Sequence, residues 1–279
     1  MNTLMRYVIA TRPWSFSMSV ISVTMGTLLA SEKGDLRSIH WGWYAVAVLG
    51  IVLVHAAGNV LNDYFDSRRG VDRADSPTAL YRPHPILGGL MSTGALLAEG
   101  LALAALAGFA GLALALFRTP HVFWIAGAGL LLTVFYTGWP LTLKYRAMGE
   151  FVVFTIWGPL MFLGAYAVQA RALSWKPVIA SVPFGILVAL VLFANNMRDI
   201  AHDSRSGIRT LGILFGPKGS LRLFAALMLS AYIYVGAAVA LGVLGPWLLV
   251  VLLSLPMAAK LLAGFAKAVP EAADAITAK

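Results

Sequence analysis

The stretch that decides the fold is WGWYAVAVLGIVLVHAAGNVLNDYFD, residues 41 to 66. Its first part, residues 41 to 61, contains no Asp, Glu, Lys or Arg, and the run then ends in asparagine and aspartate. A helix needs about 20 apolar residues to cross the hydrocarbon core of a bilayer. The stretch therefore predicts a membrane-spanning helix that ends at an acidic site.

The rest of the chain repeats this apolar pattern. Hydrophobic residues make up 59% of the 279 residues and charged residues only 12%, against about a quarter charged in soluble domains, and the mean hydropathy is +0.81. No segment alternates like a barrel strand, and helices satisfy their own backbone in lipid. We predict an all-α, polytopic membrane helical bundle, residues 1–279, a single domain without a removable signal peptide. Its eight spans are about 14–31, 41–61, 93–117, 121–140, 151–170, 177–197, 221–241 and 245–262.

The positive charge is placed asymmetrically. If the N-terminus is cytoplasmic, 16 of the 21 Lys and Arg residues lie in the tails and loops on that side. By the positive-inside rule this asymmetry predicts that the N-terminus faces the cytoplasm, and we expect a multi-pass protein of the cell inner (plasma) membrane. Because lipid topology explains the charge, we expect no nucleic acid partner. There is no cysteine, so a metal site must use oxygen or imidazole ligands.

Half of the twelve acids lie in two polar segments, which follow the second and sixth predicted helices on the cytoplasmic side. If the second helix continues, the side chains of Asn62, Asp63 and Asp66 share one face, and the chain brings Asp72 back after the turn at Gly70. Asp75 follows in the same segment. In the second segment, Asn195, Asp199 and Asp203 repeat at four-residue intervals. We predict that the two clusters face one cavity.

Hard oxygen ligands of this kind suit Mg²⁺, which binds through a few carboxylates plus substrate phosphates. The acids alternate with arginines that bind phosphate oxygens bidentately. One alternative is that the acids cap helices and pair with neighbouring arginines. Another is a transporter that uses its acids as proton relays, which predicts acids in the middle of spans. The predicted Mg²⁺ ligands are Asn62, Asp63, Asp66, Asp72, Asn195, Asp199 and Asp203.

These residues resemble the hallmarks of the UbiA superfamily of intramembrane prenyltransferases, an N-D-x-x-D segment (Asn62, Asp63, Asp66) and a D-x-x-x-D segment (Asp199, Asp203). The resemblance runs over about residues 10 to 262. It implies transfer of a polyprenyl group from polyprenyl diphosphate to an aromatic acceptor, with Mg²⁺ and with the active site toward the cytoplasm. The expected diphosphate contacts are Arg68, Arg69, Arg82, Arg198 and Arg209, and the resemblance adds Tyr136 and Lys144.

Further details resemble the MenA-type branch, which prenylates 1,4-dihydroxy-2-naphthoate with decarboxylation in menaquinone synthesis. They are the N-D-Y-x-D-x-x-x-G-x-D run at residues 62–72 and the N-N-x-R-D-I run at residues 195–200. Acceptor choice depends on pocket shape, so 4-hydroxybenzoate, homogentisate, haem and a glycerophosphate lipid stay open as acceptors.

The chain departs from the family pattern in two respects. First, Ile208 stands where the family usually has Lys, which makes Arg209 the better candidate for the diphosphate contact. Second, the family has nine spans, whereas eight are predicted here. No catalytic base is assigned from the sequence. Glu150 lies at the start of the fifth predicted helix, where its carboxylate interacts favourably with the helix dipole. This interaction explains its position without a further function.

Overall fold

The computed structural model describes residues 2–31, 34–74, 76, 79 and 82–277, and these form helices without a β-strand. Asp75 lies outside the described residues. The helices are α1 (Thr3–Ala10), α2 (Phe16–Leu29), α3 (Trp41–Arg69), α4 (Thr93–Phe117), α5 (His121–Thr137), α6 (Gly149–Ala170), α7 (Trp175–Arg198), α8 (Ile200–Arg205) and α9 (Leu211–Ala240). A 3-10 segment (Pro246–Ser254) then continues into α10 (Leu255–Thr277). The all-α prediction is confirmed.

Each predicted span largely coincides with a helix, and the eighth begins in the 3-10 segment. Among the described residues, six helices are long and apolar enough to cross a membrane: α3, α4, α6, α7, α9 and the helix Pro246–Lys267. The remaining two, α2 with 14 residues and α5 with 17, are shorter. The chain therefore fits a multi-pass membrane protein, while the number eight stays a prediction.

The surfaces of these helices are apolar. Phe109, Leu116 and Trp124 are 68%, 72% and 74% exposed, and many other large apolar side chains are exposed in the same way. A helix that is hydrophobic on all sides is stable when lipid, not water, surrounds it. The exposed surface thus supports the membrane assignment independently of helix length.

The chain folds into two compact units, and the prediction of a single domain stays a prediction. The first unit comprises Met1–Leu143 and Thr155–Ser181, and the second comprises Lys144–Phe154 and Val182–Lys279. The core of the first unit packs Val23, Leu114 and Val168 together. The core of the second packs Phe193, Phe224 and Met228.

Two of the long helices are irregular. A π-helical turn, Ile156–Leu160, interrupts α6 at Pro159. In α9, Gly216 has a φ of 64° and a ψ of 176°, and Pro217 follows it. Because proline lacks a backbone N–H and glycine tolerates positive φ, this pair kinks the helix. The polar segment that follows the sixth predicted span is mostly helical, formed by α8 and the start of α9.

Candidate functional site: two acidic clusters

The first acidic cluster forms because α3 extends past the apolar stretch and then turns back. The backbone N–H of Gly70 donates to Ser67 at 3.2 Å and that of Val71 to Asp66 at 2.9 Å, while Gly70 has a φ of 69°. This is a Schellman termination, in which glycine takes the left-handed conformation. The turn also brings the Asp72 N–H to 3.2 Å from the Asp66 carbonyl. The predicted return of Asp72 is confirmed.

Asp63 is fully buried and accepts hydrogen bonds from two arginines. The guanidinium of Arg82 donates to both carboxylate oxygens, at 2.6 and 3.0 Å, and Arg12 also donates to Oδ1. Burial and the positive charge of Arg12 lower the pKa of Arg82, while the Asp63 carboxylate opposes this shift. The result is a compact group of one anion and two cations at the end of a membrane helix.

Asp72 lies beside Asp63 and is held by His84. The Nε2 of His84 lies 3.1 Å from Asp72 Oδ2, and one ligand atom from each of Asp63, Asp72 and His84 lies within 4.8 Å of the other two. The Nδ1 of His84 accepts the backbone N–H groups of Ile86 and Leu87 at 3.3 and 3.2 Å. These bonds assign the ring proton to Nε2, which donates to Asp72 and leaves no lone pair for a metal. His84 therefore orients Asp72 and is not itself a ligand.

The other predicted residues of this segment have different positions. Asn62 donates to Asp66 at 2.9 Å, so both side chains share the face of α3 that carries Asp63. Arg68 and Arg69 lie exposed in the last turn of α3. Tyr136 is half-buried near the end of α5. The buried cluster thus contains Arg82 from the predicted diphosphate contacts, while Arg68 and Arg69 stand at the surface.

Arg12 belongs to the cluster but was not predicted from the sequence. Its backbone has a φ of 56° and a ψ of 59°, which is unusual for a residue other than glycine. Two side chains hold this conformation: Ser15 donates to the Arg12 carbonyl at 2.8 Å, and Asn59 of α3 donates to the Thr11 carbonyl at 2.9 Å. Arg12 lies 51 residues before Asp63 in sequence, so no local pattern indicates the contact.

A buried polar network continues from Ser15 into the bundle. His55 contacts Ser15 through Nε2 at 3.2 Å and Ser19 through Nδ1 at 2.8 Å, and the indole N–H of Trp157 donates to Ser19 at 3.1 Å. Because the Ser15 hydroxyl proton goes to the Arg12 carbonyl, Ser15 accepts here and His55 Nε2 carries the proton. Trp157 lies in the π-helical turn, a feature frequent at functional sites. The network connects that turn to the segment that carries Arg12.

The second acidic cluster lies in the second unit, where α7 passes into α8. The N–H of Asp199 donates to Asn195 at 3.0 Å and that of Asp203 to Asp199 at 2.8 Å, so the three residues follow one another at one-turn spacing. Asn195 is exposed, Asp199 is half-buried and Asp203 is buried. Arg198 pairs with Asp199 through two bonds of 2.6 and 2.7 Å. That both clusters face one cavity stays a prediction.

The loop before α6 is joined to the loop after this cluster. The N–H of Ala147 donates to the Arg209 carbonyl at 2.9 Å, and the N–H of Arg209 donates to the Tyr145 carbonyl at 3.1 Å. The ammonium of Lys144 lies 5.8 Å from the centre of the Tyr145 ring. The side chain of Arg209 is exposed. The predicted contacts Lys144 and Arg209 therefore belong to neighbouring loops of one unit.

Comparison with known proteins places the chain in a family. The model of the UbiA prenyltransferase family matches residues 19–278. The UbiA prenyltransferase domain-containing protein 1 of Danio rerio is 36% identical over 81% of this chain, and the chain spans 66% of that relative's length. A 1,4-dihydroxy-2-naphthoate octaprenyltransferase of Bacillus subtilis is 32% identical over 91% of this chain and 80% of its own. A UbiA homolog from Archaeoglobus fulgidus bound to GPP and Mg²⁺ shares the fold, with a TM-score of 0.64 and 16% identity over 83% of this chain and 77% of that one.

Proposed function

The chain belongs to the UbiA prenyltransferase family, and on this premise we propose that it transfers a polyprenyl group from polyprenyl diphosphate to an aromatic acceptor. One observation carries the proposal for this chain. At the end of a membrane helix, the buried Asp63 lies between Arg12 and Arg82, with Asp72 close by. Carboxylates suit a divalent cation and guanidinium groups suit phosphate, so the set matches a metal diphosphate.

The residues of the two clusters fit Mg²⁺. The first cluster offers the oxygens of Asn62, Asp63, Asp66 and Asp72, and the second offers those of Asn195, Asp199 and Asp203. All are hard ligands, and the chain has no cysteine whose thiolate would favour a softer metal. When bound, Mg²⁺ supplies Lewis-acid stabilisation of the diphosphate leaving group.

The cationic side chains have a second role, which is to bind the phosphate oxygens. The Nε of Arg12 is buried and has no hydrogen-bond partner in the described structure, so this guanidinium has a donor left for a phosphate oxygen. Arg82 stands beside it on Asp63. We assign both to the diphosphate, together with Arg68, Arg69, Tyr136, Lys144, Arg198 and Arg209. As negative charge grows on the leaving diphosphate, fixed cations in a dry site stabilise it strongly.

An apolar cavity of about 340 Å³ lies in the first unit, between α2, α3, α4, α5 and α6. Its walls include Val54, Leu130 and Ile156. Gly108 and Gly129 also line it, and a Cβ atom at either position would meet nothing within 4 Å. Such a space suits an isoprenoid chain and excludes water, which would destroy an allylic cation.

We propose 1,4-dihydroxy-2-naphthoate as the acceptor, with loss of its carboxylate, in menaquinone biosynthesis at the cytoplasmic face of the plasma membrane. The support is the name of the Bacillus subtilis relative and the motif resemblance at residues 62–72 and 195–200. The animal relatives are equally similar in sequence, so 4-hydroxybenzoate and other quinone precursors serve as competing acceptors in the test.

The test is a transfer assay with purified protein in detergent, a radiolabelled long-chain polyprenyl diphosphate and either acceptor, with Mg²⁺ or with EDTA. We expect a lipid-soluble demethylmenaquinone with the naphthoate. EDTA should reduce its formation at least about a hundredfold, since the charge stabilisation of a bound metal is worth several kcal/mol. If a product forms only with 4-hydroxybenzoate, then 4-hydroxybenzoate replaces the naphthoate as the proposed acceptor. If no product forms with any acceptor, the proposed function is wrong.

A further inference from the structure

Glu150 is a buried acid whose two carboxylate oxygens differ in their surroundings. It lies in the first turn of α6, within the second unit, and is 6% exposed. Its Oε1 accepts the side-chain amide of Asn196 at 2.8 Å. Its Oε2 is buried and has no hydrogen-bond partner among the described residues.

Such an oxygen is costly in a membrane protein, because burial removes the water that would otherwise solvate it. A role limited to the helix dipole does not require burial, since a carboxylate in a first helical turn is favourable when it is exposed. The unpartnered oxygen is therefore available to accept a hydrogen bond or a proton from a ligand.

The surroundings of Glu150 are fixed and belong to the second acidic cluster. Asn196 lies three residues before Asp199 on α7, and a Cβ atom at Gly212 would come within 2.6 Å of the Asn196 carbonyl oxygen. The backbone bonds between Ala147 and Arg209 hold the preceding loop in place. Asn196 thus aims the free oxygen in a rigid setting, which is what a positioned base requires.

We propose that Glu150 is the catalytic base of the transfer reaction, and that its Oε2 takes the proton of a hydroxyl group on the aromatic acceptor. This inference rests on the proposed function. The ligand is a phenolic hydroxyl of the acceptor, because ring carbons become strong nucleophiles when that hydroxyl loses its proton. Asn196 is a positioning residue that acts through Glu150.

The step balances without another reactant. The hydroxyl proton moves to Glu150 as the oxygen electron pair enters the ring, and the ring carbon bonds to C1 of the prenyl group. The C1–O bond breaks and diphosphate leaves with its electrons. With a naphthoate acceptor, the carbon–carboxylate bond then breaks to release CO₂ and return its electrons to the ring. The oxygen takes the proton back from Glu150, which is thereby regenerated.

The first experiment replaces the base by its neutral isostere, Glu150→Gln, in the full-length protein. General base catalysis contributes about a hundredfold or more, so kcat should fall by that factor while the KM for the prenyl diphosphate stays within about twofold. The matched control is Glu99→Gln, because Glu99 lies on the candidate span α4 and its Oε2 likewise has no hydrogen-bond partner among the described residues. This control should retain wild-type kcat.

A second measurement distinguishes loss of the base from damage to the prenyl diphosphate site. Exchange of ¹⁸O between bridging and non-bridging positions of the polyprenyl diphosphate reports C1–O cleavage and needs no acceptor hydroxyl. Glu150→Gln should keep this exchange, and its transfer rate should recover as pH rises toward the ionisation of a phenolic hydroxyl, about pH 10. If the Gln variant misfolds, Glu150→Asp provides a second test, because it retains the charge. Its transfer rate should lie between those of the wild type and Glu150→Gln.

Several outcomes overturn the assignment: kcat of Glu150→Gln within about threefold of wild type, loss of isotope exchange together with transfer, or an equal loss in Glu99→Gln. Exchange without transfer in the wild-type protein would contradict the proposed acceptor but not the prenyl donor, so failure of the base and failure of the proposed function are distinguishable.

Discussion

Asp63 and Asp199 share a proposed role but differ in their surroundings. Asp63 is fully buried against two partly exposed arginines, whereas Asp199 is half-buried and pairs with an arginine side chain that is 40% exposed. Removing one partner of a buried ion pair costs about 3 to 5 kcal/mol, and exposed pairs contribute about 0 to 1. The two acids should therefore affect stability differently.

We predict that Asp63→Asn and Asp199→Asn each lower transfer at least about a hundredfold, because each removes a proposed Mg²⁺ ligand. Only Asp63→Asn should also lower the melting temperature in detergent, by several degrees, since it leaves Arg12 and Arg82 without their counter-charge. A thermal-shift assay beside the transfer assay checks both. Full activity in either variant would remove that aspartate from the site.

The same cluster shows what local sequence can reveal about a site. The shared face of Asn62, Asp63 and Asp66 was predictable, because helical periodicity fixes it once α3 continues. Arg12 was not, since its contact depends on how the start of α2 packs against α3. The unpartnered oxygen of Glu150 was not predictable either, because only a structure shows which donors reach a buried carboxylate.

At the element scale, α2 and α6 approach closely at Gly26. A Cβ atom there would lie 2.4 Å from the carbonyl oxygen of Phe162 and 2.9 Å from the Cβ of Ala165. Both neighbours are backbone or rigid atoms, so the helices themselves would have to separate. Small residues at such contacts are what allow helices to pack closely in lipid.

Gly26→Ala should therefore destabilise the protein by about 1 to 3 kcal/mol, the usual cost of overpacking. The matched control is Gly236→Ala on α9, where a Cβ atom would meet nothing within 4 Å. Thermal unfolding in detergent compares the two variants. Equal melting temperatures would show that α2 and α6 do not pack as closely as described.

The helices themselves were largely predictable, and their irregularities were not. Apolar stretches of about 20 residues specify helices in lipid almost regardless of detail, so each predicted span largely coincides with one. The π-helical turn at Pro159 depends on packing partners, for example the Ser22 hydroxyl that donates to the Trp157 carbonyl at 2.7 Å. Residues 200–205 are also helical, although their polar composition indicated only an interruption between two spans.

At the scale of the whole molecule, the orientation in the membrane rests on charge placement alone. If the active site faces the cytoplasm, the segment that follows α3 and contains Asp72 must also face the cytoplasm. The segment between α6 and α7, which contains Arg171, should then face the outside. The chain has no cysteine, so single cysteines can be introduced into the native sequence and labelled without background.

We predict that Leu173→Cys reacts with a membrane-impermeant maleimide added to intact cells, whereas Ala74→Cys reacts only after the membrane is permeabilised. Both positions are exposed and belong to the first unit, so differences in labelling report the side of the membrane and not burial. The physical reason is the positive-inside rule, since arginines crowd the segment around Ala74. Labelling of Ala74→Cys in intact cells would place the acidic cluster outside. That result would contradict a site supplied with prenyl diphosphate from the cytoplasm.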